Sequence, residues 1–426
     1  MNMNRFIVIL FTCIIYNAIQ AQPTISLYEC RSKAETAFAF KGANEIYSTQ
    51  MSENLKKLKT NYLPTLGINA QLIWQSEVIE LPIKLPGLVI PAMPNDKEQI
   101  TLDVAQLIYD GGLTSKQSKL EKNSFEINKQ SLVVKTYRYK EQVNDVFFLT
   151  LLMQEQSELF KALHEELNKR LKSVEAAVSL GAMLPNNADR LKVEILKVKQ
   201  QMQEIEANRI AGIALLSHLT DSVFAPNSVL QNPNTALVEF TGLNAPELEL
   251  FNLSSSKLDL MRQLSYVPNL PKARAWGQAG YGRPGLNMLS PDFDSWLMVG
   301  VAVNIPIFDW NKSKRDRNII ATNKSLVEME KAAFEDAQKA SEIRLSAEIK
   351  RLESQLQNDA EIIALCEKIT KSAAARLENG TISATEYVTE LNIETQARIS
   401  LKIRTVQLNK AKIALLNLMG KLDVAK

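Results

Sequence analysis

The chain has 426 residues, of which 46% are hydrophobic and 23% charged, with a formal net charge of +3. This near-neutral balance gives no electrostatic case for nucleic-acid binding, which needs a strongly basic surface. No G-x-S-x-G, H-E-x-x-H, Cys-x-x-Cys or Walker sequence is present, and the two histidines, His164 and His218, lie far apart in predicted helices. We therefore expect no catalytic site, no cofactor and no bound metal.

Residues 1–21 have the pattern of a secretory signal peptide. Arg5 precedes an apolar run from Phe6 to Tyr16, and Ala21 is a small residue before a plausible cleavage position. The run is too short to span a bilayer as a helix, and no later segment is apolar over roughly 18 consecutive residues. We expect an exported protein that either stays soluble outside the cytoplasm or crosses a membrane as β-strands.

The rest of the chain consists of two halves in which the same sequence landmarks occur in the same order. Three landmarks of the first half return in the second: Tyr62-Leu63-Pro64 as Tyr266-Val267-Pro268, Asp110 as Asp309, and Gly181 as Gly380. The last two pairs share one offset, since 309 − 110 and 380 − 181 both equal 199. We predict a first structural repeat at 22–221, a linker at 222–245 and a second repeat at 246–426.

Each half predicts a pair of β-strands after its Tyr-x-Pro sequence. In residues 65–74, apolar side chains such as Leu66, Ile68 and Leu72 alternate with small or polar ones. Residues 297–305 alternate in the same way, and residues 100–105 and 272–281 show weaker strand patterns. The sequence therefore predicts four strands, with one face toward lipid or core and the other toward water.

The segment GYGRPG at 280–285 has the glycine spacing of a dinucleotide-binding turn. That function requires a helix directly after the motif, and the following residues LNMLSPD have no helical periodicity. We interpret Gly280, Gly282, Pro284 and Gly285 as the turn between the third and fourth strands.

Two segments without proline or glycine, at 115–179 and 313–378, each precede a glycine and a second helical stretch. As helices they would each be about 95–100 Å long. Apolar residues recur three or four positions apart, as in a coiled coil. These seam residues are Leu163, Leu167, Leu171, Val174 and Val178 with Leu191, Ile195, Val198, Met202 and Ile205, and then Leu345, Ile349, Leu352 and Leu356 with Ile399, Ile403 and Val406. We predict two long antiparallel helical hairpins.

Aromatic side chains collect in and beside the predicted strands: Trp74, Tyr109, Trp276, Tyr281, Trp296 and Trp310. We assign them to a membrane interface, where tryptophan and tyrosine are enriched at strand ends. Four strands do not close a barrel, because the smallest transmembrane barrels have about eight and lipid does not tolerate an open sheet edge. We expect a homotrimer in which three chains share one 12-stranded barrel.

The order and spacing of these features resemble the TolC-type outer-membrane efflux proteins of Gram-negative bacteria. The resemblance covers essentially the whole mature chain. It rests on the internal repeat and on the glycine at each hairpin turn. It also rests on three short motifs: NYLPTL and SYVPNL, each after the first helix of its half, and NAPELEL at the start of the second half. It implies a mainly α fold with a small β part. The antiparallel coiled-coil hairpins would form a periplasmic α-barrel, and four strands per chain would contribute to a trimeric barrel in the outer membrane.

The resemblance also implies a function. The protein would be the exit duct of a tripartite efflux pump or a type I secretion system. It would conduct substrates passively from a periplasmic adaptor and an inner-membrane pump to the exterior, with outer-membrane lipid around its strands. The alternative is a soluble periplasmic coiled-coil adaptor, but adaptors of that kind carry one helical hairpin in a β-rich body. Two hairpins and two strand pairs favour the channel.

The resemblance finally assigns site residues at the ends of the hairpins. The candidate adaptor-docking residues are Leu180, Gly181, Asn379 and Gly380, and the candidate constriction residues are Glu386, Glu390, Asn187 and Asp189. Glu386 and Glu390 lie one helical turn apart, so their carboxylates share a helix face. Asn187 stands where an acidic residue is common in the family. The alternative for the two glutamates is an ordinary solvated helix face.

Overall fold

The computed structural model describes residues 24–38, 40–78, 93–233 and 242–420. The predicted signal peptide at 1–21 and residues 234–241 of the predicted linker lie outside the described residues. Within these ranges, none of the helices combines the length and apolarity that a bilayer crossing requires.

The described chain is mainly helical, with a small β part. Its helices are α1 Leu27–Ala37, α2 Ala43–Lys59, α3 Leu113–Ser179, α4 Pro185–Leu219, α5 Pro246–Leu264, α6 Lys312–Glu378 and α7 Ala384–Leu418. Its strands are β1 Thr24–Ile25, β2 Thr65–Trp74, β3 Asp96–Tyr109, β4 Val229–Leu230, β5 Lys272–Arg283 and β6 Asp294–Asn304. This composition confirms the predicted fold class.

These elements divide into two compact units. One contains the parallel pair β1 and β4, the helices α1, α4 and α7, and the C-terminal parts of α3 and α6. The other contains the four longer strands, α2, α5, and the N-terminal parts of α3 and α6. Each unit contains segments of both predicted repeats, so the boundaries of the repeats differ from the boundaries of the compact units.

Both long helical hairpins are present, and their elements match in length. α3 and α6 have 67 residues each, and α4 and α7 have 35 each. The helix starts keep the offset of the sequence repeat, since 312 − 113 and 384 − 185 both equal 199. Gly181 and Gly380 end α3 and α6 with φ of +75° and +69°, the left-handed region that glycine enters without steric cost.

Nine of the seventeen predicted seam residues are buried in two clusters of the first unit, and the other eight are partly buried. Leu167, Leu191 and Val198 belong to the cluster nearer the glycine turns. Leu352 and Val406 belong to the second cluster. Each cluster contains buried side chains from α3, α4, α6 and α7, so the two hairpins pack against each other in both clusters.

The four longer strands form one antiparallel sheet in the order β2-β3-β5-β6. The strand predicted at 65–74 is β2, and the strand predicted at 297–305 is β6, which begins earlier, at Asp294, and ends at Asn304. The two weaker patterns mark longer strands than the sequence indicates, because β3 begins at Asp96 and β5 continues to Arg283. Leu66 pairs with Val104, Val104 with Gly277, and Gly277 with Val299, so this row lies on one face across all four strands.

The predicted turn at 280–285 needs a correction. Gly280 and Gly282 belong to β5, where they pair with Trp296 and Asp294, and the loop begins only at Pro284. A Cβ at Gly280 would lie 2.1 Å from Cε2 of Trp296, and one at Gly282 would lie 2.2 Å from the carbonyl oxygen of Glu98. These glycines therefore allow neighbouring groups to approach closely within the sheet, and they do not form a turn.

Candidate functional site

The sheet has one apolar and one polar face. The apolar face carries large side chains that are between 45% and 77% exposed: Leu66, Ile68, Leu72, Ile100, Leu102, Leu297, Val299, Val301 and Val303. A contiguous exposed apolar surface of this kind marks contact with lipid or with another protein.

Polar side chains on the opposite face hold three of the strands together. Asp103 of β3 accepts hydrogen bonds from Asn69 Nδ2 at 2.6 Å, from Thr101 Oγ1 at 2.9 Å and from Gln278 Nε2 at 2.6 Å. Asn69 belongs to β2 and Gln278 to β5, so one carboxylate links both neighbours of β3. The polar groups on this face thus support the pairing of strands whose other face is apolar.

The predicted interface aromatics divide between the two faces. Trp74 and Tyr281 lie on the apolar face near the loop ends of their strands, and Tyr109 lies on the same face at the opposite end. Trp276 and Trp296 lie on the polar face, where their rings cover Gly300 and Gly280. Trp310, beyond β6, is exposed and contacts Phe308.

Two aspartates connect the sheet to the long helices. Asp110 accepts the N–H groups of Gly112 at 2.8 Å and Thr114 at 2.7 Å. Asp309 accepts those of Asn311 at 2.9 Å and Ser313 at 3.0 Å. These bonds satisfy amides around the helix starts that have no partner within a helix. The side chain and backbone of Ser313, with the side chain of Asn269, lower the pKa of Asp309 to about 2.

The four candidate docking residues are exposed at the hairpin turns. Gly181 donates to the carbonyl of Val178 at 3.0 Å, and Ala182 donates to that of Ala177 at 2.9 Å. The turn at Gly380 repeats both bonds, so each helix ends in a Schellman motif. Leu180 is 83% exposed. The turns therefore present ordered backbone and an apolar side chain to solvent.

The two helices that return from the turns begin differently. Ser383 and Glu386 form a capping box at the start of α7, in which Glu386 Oε2 accepts the N–H of Ser383 at 2.8 Å. Leu184 is the N-cap of α4 and supplies no side-chain cap. Asn187 of α4 instead accepts the N–H of Ala384 at 2.9 Å through Oδ1. This candidate constriction residue thus connects the two hairpins near their tips.

The structure brings Glu386 and Glu390 together, as the sequence predicts. They line one groove with Lys368 and Arg376 of α6, two cations that the prediction did not include. Hydrogen bonds from the backbone and side chain of Ser383 lower the pKa of Glu386, so this carboxylate is charged at neutral pH. Asp189, on α4, is exposed to solvent.

The sequence analysis did not predict a polar network near the turns that is centred on one buried tyrosine. Tyr387 of α7 is fully buried, and its hydroxyl donates to Glu166 Oε1 at 3.2 Å. Arg170 Nε donates to the same oxygen at 2.6 Å, and Arg170 also pairs with Glu378 of α6. Burial raises the pKa of Tyr387 far above its usual range, so the hydroxyl keeps its proton and remains a donor. One cluster of four side chains thus connects α3, α6 and α7.

Solved structures of outer membrane channels have the same fold. CmeC of Campylobacter jejuni is 15% identical with a TM-score of 0.67, over 93% of this chain and 86% of that chain. VceC of Vibrio cholerae is 12% identical with a TM-score of 0.68, over 92% and 96%. CusC is 11% identical with a TM-score of 0.73, over 92% and 91%. No protein-family model and no curated protein matches the sequence. The chain therefore has the fold of these outer membrane channels.

Proposed function

We propose that the protein is the outer-membrane exit duct of a tripartite efflux pump or a type I secretion system. The main support is the four-stranded open sheet, which has an exposed apolar face. This sheet belongs to a chain that has the fold of outer membrane channels. The four strands have 10, 14, 12 and 11 residues. A tilted strand needs about 9–11 residues to cross a bilayer, so each of them is long enough.

The edges of the sheet support a trimer. Among the described residues, β2 and β6 each pair on one side only. Three copies that join β6 of one chain to β2 of the next would close a 12-stranded barrel and remove every edge from lipid. The apolar face would lie toward the bilayer, with Trp74, Tyr109, Tyr281 and Trp310 as the interface aromatics. The face with Asp103 would line the water-filled interior.

The helical hairpins would form the periplasmic part of the duct. Their turns would meet an adaptor through Leu180, Gly181, Asn379 and Gly380, and an inner-membrane pump would supply substrates through it. All four of these residues are exposed to solvent in the single chain, which makes the turns accessible to a partner. The protein itself would perform no chemistry.

Membrane fractionation, crosslinking and conductance test this proposal together. We expect the protein in the outer-membrane fraction, released only by detergent, with chemical crosslinking in mild detergent ending at three chains. The purified protein should form ion-conducting pores in a planar bilayer. Release without detergent would favour the soluble adaptor, and a stable monomer in the membrane would refute the barrel shared by three chains.

We further propose that Glu386 and Glu390 form an acidic constriction near the periplasmic opening. A trimer would bring about six carboxylates together, and rings of like charge favour cations. The double variant Glu386→Gln with Glu390→Gln should lose cation preference in planar-bilayer recordings, while glutamine preserves the capping position. Glu361→Gln, an exposed glutamate elsewhere on α6, is the control. Unchanged selectivity in the double variant would leave a solvated helix face as the better description.

A further inference from the structure

Two basic helix ends lie on the same side of the sheet, one at each of its edges. α2 is the last α-helix before β2, and α6 is the first after β6. The last turn of α2 and the first turn of α6 together contain six exposed cations: Lys56, Lys57, Lys59, Lys312, Lys314 and Arg315. Cations at the start of a helix oppose its macrodipole, and the first turn of α6 has no acidic residue. The stability of α6 alone therefore does not account for this pattern.

Most of these cations have no charged partner in the part of the chain that the structure describes. Lys56 pairs with Glu53 at 2.7 Å, and the other five form no salt bridge with a described residue. The side of α6 that carries Arg315 is also uncovered. Lys324 pairs with Asp259 of α5 at 2.8 Å. Arg315 lies on the opposite face, because it is nine residues earlier on a helix that turns by about 100° per residue. This face of α6 is available to a second copy of the chain.

The proposed trimer would bring the two basic ends together. Neighbouring strands of the sheet are antiparallel, so β6 of one copy would lie antiparallel to β2 of the next. The end of β6 at Asn304 would then lie beside the start of β2 at Thr65, and the first turn of α6 beside the last turn of α2. Each junction would hold the six cations with two carboxylates, Glu53 and Asp316, which leaves an excess of four positive charges. Like charges at such a junction repel each other unless an anion lies between them.

The position of the junction indicates which anion is available. The six cations flank strands whose apolar face would lie in the bilayer, and the exposed rings of Phe308 and Trp310 come just before α6. The headgroup layer extends roughly 5–8 Å beyond the hydrocarbon core, and an exposed charge acts over about 8 Å at physiological salt. The described residues at the opposite end of the strands include five carboxylates and only two cations: Glu77, Asp96, Glu98, Asp292 and Asp294, with Lys97 and Arg283. The helices are periplasmic in the proposed topology, so the cationic end would meet the headgroups of the periplasmic leaflet.

We propose that each subunit junction binds one anionic phospholipid of the periplasmic leaflet, of the phosphatidylglycerol class. Its phosphate lies between Lys57 and Lys59 of one copy and Lys312 and Arg315 of the next, and its acyl chains lie along the apolar face of the sheet. A zwitterionic lipid fits less well, because its own amine adds a positive charge to the junction. The proposal rests on the proposed function, since the site exists only where two copies meet in a membrane.

Native mass spectrometry of the full-length, detergent-extracted trimer tests the site. After delipidation, we expect phosphatidylglycerol to rebind at one molecule per junction, roughly tenfold or more tightly than phosphatidylethanolamine. Two double variants remove cations from opposite sides of the junction: Lys57→Gln with Lys59→Gln, and Lys312→Gln with Arg315→Gln. An exposed cation near an anionic lipid contributes about fivefold to affinity, so each double variant should weaken phosphatidylglycerol binding about 25-fold.

The matched control is Lys119→Gln with Lys122→Gln. It removes two exposed cations from α3, near the same end of the sheet. α3 contacts α2 through Glu121 and Asn54, and the segment of α5 through Lys116 and Gln263, so it lies between these helices and away from the edges. Phosphatidylglycerol binding should be nearly unchanged in this control.

The thermal stability of the trimer separates this site from an alternative in which the cations pair with carboxylates of the neighbouring copy. Without lipid, repulsion across the junction should make the wild-type trimer dissociate at a lower temperature than either junction variant. Phosphatidylglycerol should then stabilise the wild type more than the variants. If the lipid-free variants dissociate at a lower temperature than the wild type, the cations pair between copies and the proposal is wrong.

Several binding results would also overturn the proposal. Equal binding of the two lipids by the wild type, or unchanged phosphatidylglycerol binding in both junction variants, would refute the site. Retention of lipopolysaccharide in place of phosphatidylglycerol would place the cations at the exterior leaflet and refute the assignment. If one junction variant does not assemble, the other tests the same junction from the neighbouring copy. A trimer that conducts in bilayers without a preference for phosphatidylglycerol refutes this site alone, whereas a protein that stays monomeric in the membrane refutes the shared barrel of the proposed function as well.

Discussion

Removal of one hydroxyl should loosen the start of α7. Tyr387→Phe keeps the buried ring but deletes the bond to Glu166, which also accepts from Arg170. A hydrogen bond to a charged group contributes about 1.5–3 kcal/mol to stability. Since about 1.4 kcal/mol is tenfold in an equilibrium constant, local opening should become roughly 10- to 150-fold more frequent. Arg170 retains its pairs with Glu166 and Glu378, so the hairpins should remain assembled.

Hydrogen–deuterium exchange measures this opening directly. Peptides that cover residues 384–391 should exchange faster in Tyr387→Phe, while peptides from the sheet should not change. Tyr139→Phe is the matched control, because its hydroxyl donates to the carbonyl of Leu219, far along the chain from the turns. Unchanged exchange at 384–391, or the same acceleration there in both variants, would refute a stabilising role for the Tyr387 hydroxyl.

Three further results are expected. Gly380→Val, at a position with a φ of +69°, should distort the second turn and reduce crosslinking to the adaptor. Gly42→Val is the control, because a side chain there would meet no neighbouring atom. Equal crosslinking of the wild type and Gly380→Val would contradict docking at this turn. The folded-state pKa of Asp309 is about 2, below the usual 3.8, so its stabilising effect should be complete above pH 3.8 and be lost as the pH falls toward 2. Circular dichroism melts of Asp309→Asn should therefore converge with those of the wild type in that window, and a constant difference would exclude this linkage. Gly280→Ala should displace the Trp296 ring and change the near-ultraviolet circular dichroism, whereas Gly277→Ala, whose nearest contact would be 3.7 Å away, should leave it unaltered.

Local features of the fold could be predicted from the sequence because their causes are local. Apolar spacing placed the hairpin seams, and strand alternation placed β2 and β6. Gly181 and Gly380 marked the turns because a left-handed residue after a helix favours glycine. Asp110 and Asp309 were recognisable as repeated landmarks, and in the structure each accepts amides two and four residues further along, at the start of a long helix.

Features that depend on neighbouring strands or helices could not be predicted in the same way. Gly280 belongs to a strand because the Trp296 ring occupies the space where a Cβ would be, which only the register of β5 and β6 reveals. The same register places Trp276 on the polar face. The bond from Tyr387 to Glu166 joins residues 221 positions apart, and that from Ala384 to Asn187 joins residues 197 apart. Such contacts depend on how the hairpins pack against each other, and a single sequence contains no signal of that packing.

The open sheet also has a consequence for biogenesis. Before the proposed trimer forms, a newly made chain carries one unpaired edge each of β2 and β6 in the described sheet, beside an apolar surface that water does not solvate well. Any extended polypeptide can pair with such an edge, so a lone copy is prone to aggregation until its partners arrive. The yield of correctly inserted protein should therefore depend on the rate of synthesis. Slow production should give time for matched copies to meet, and rapid production should favour insoluble deposits.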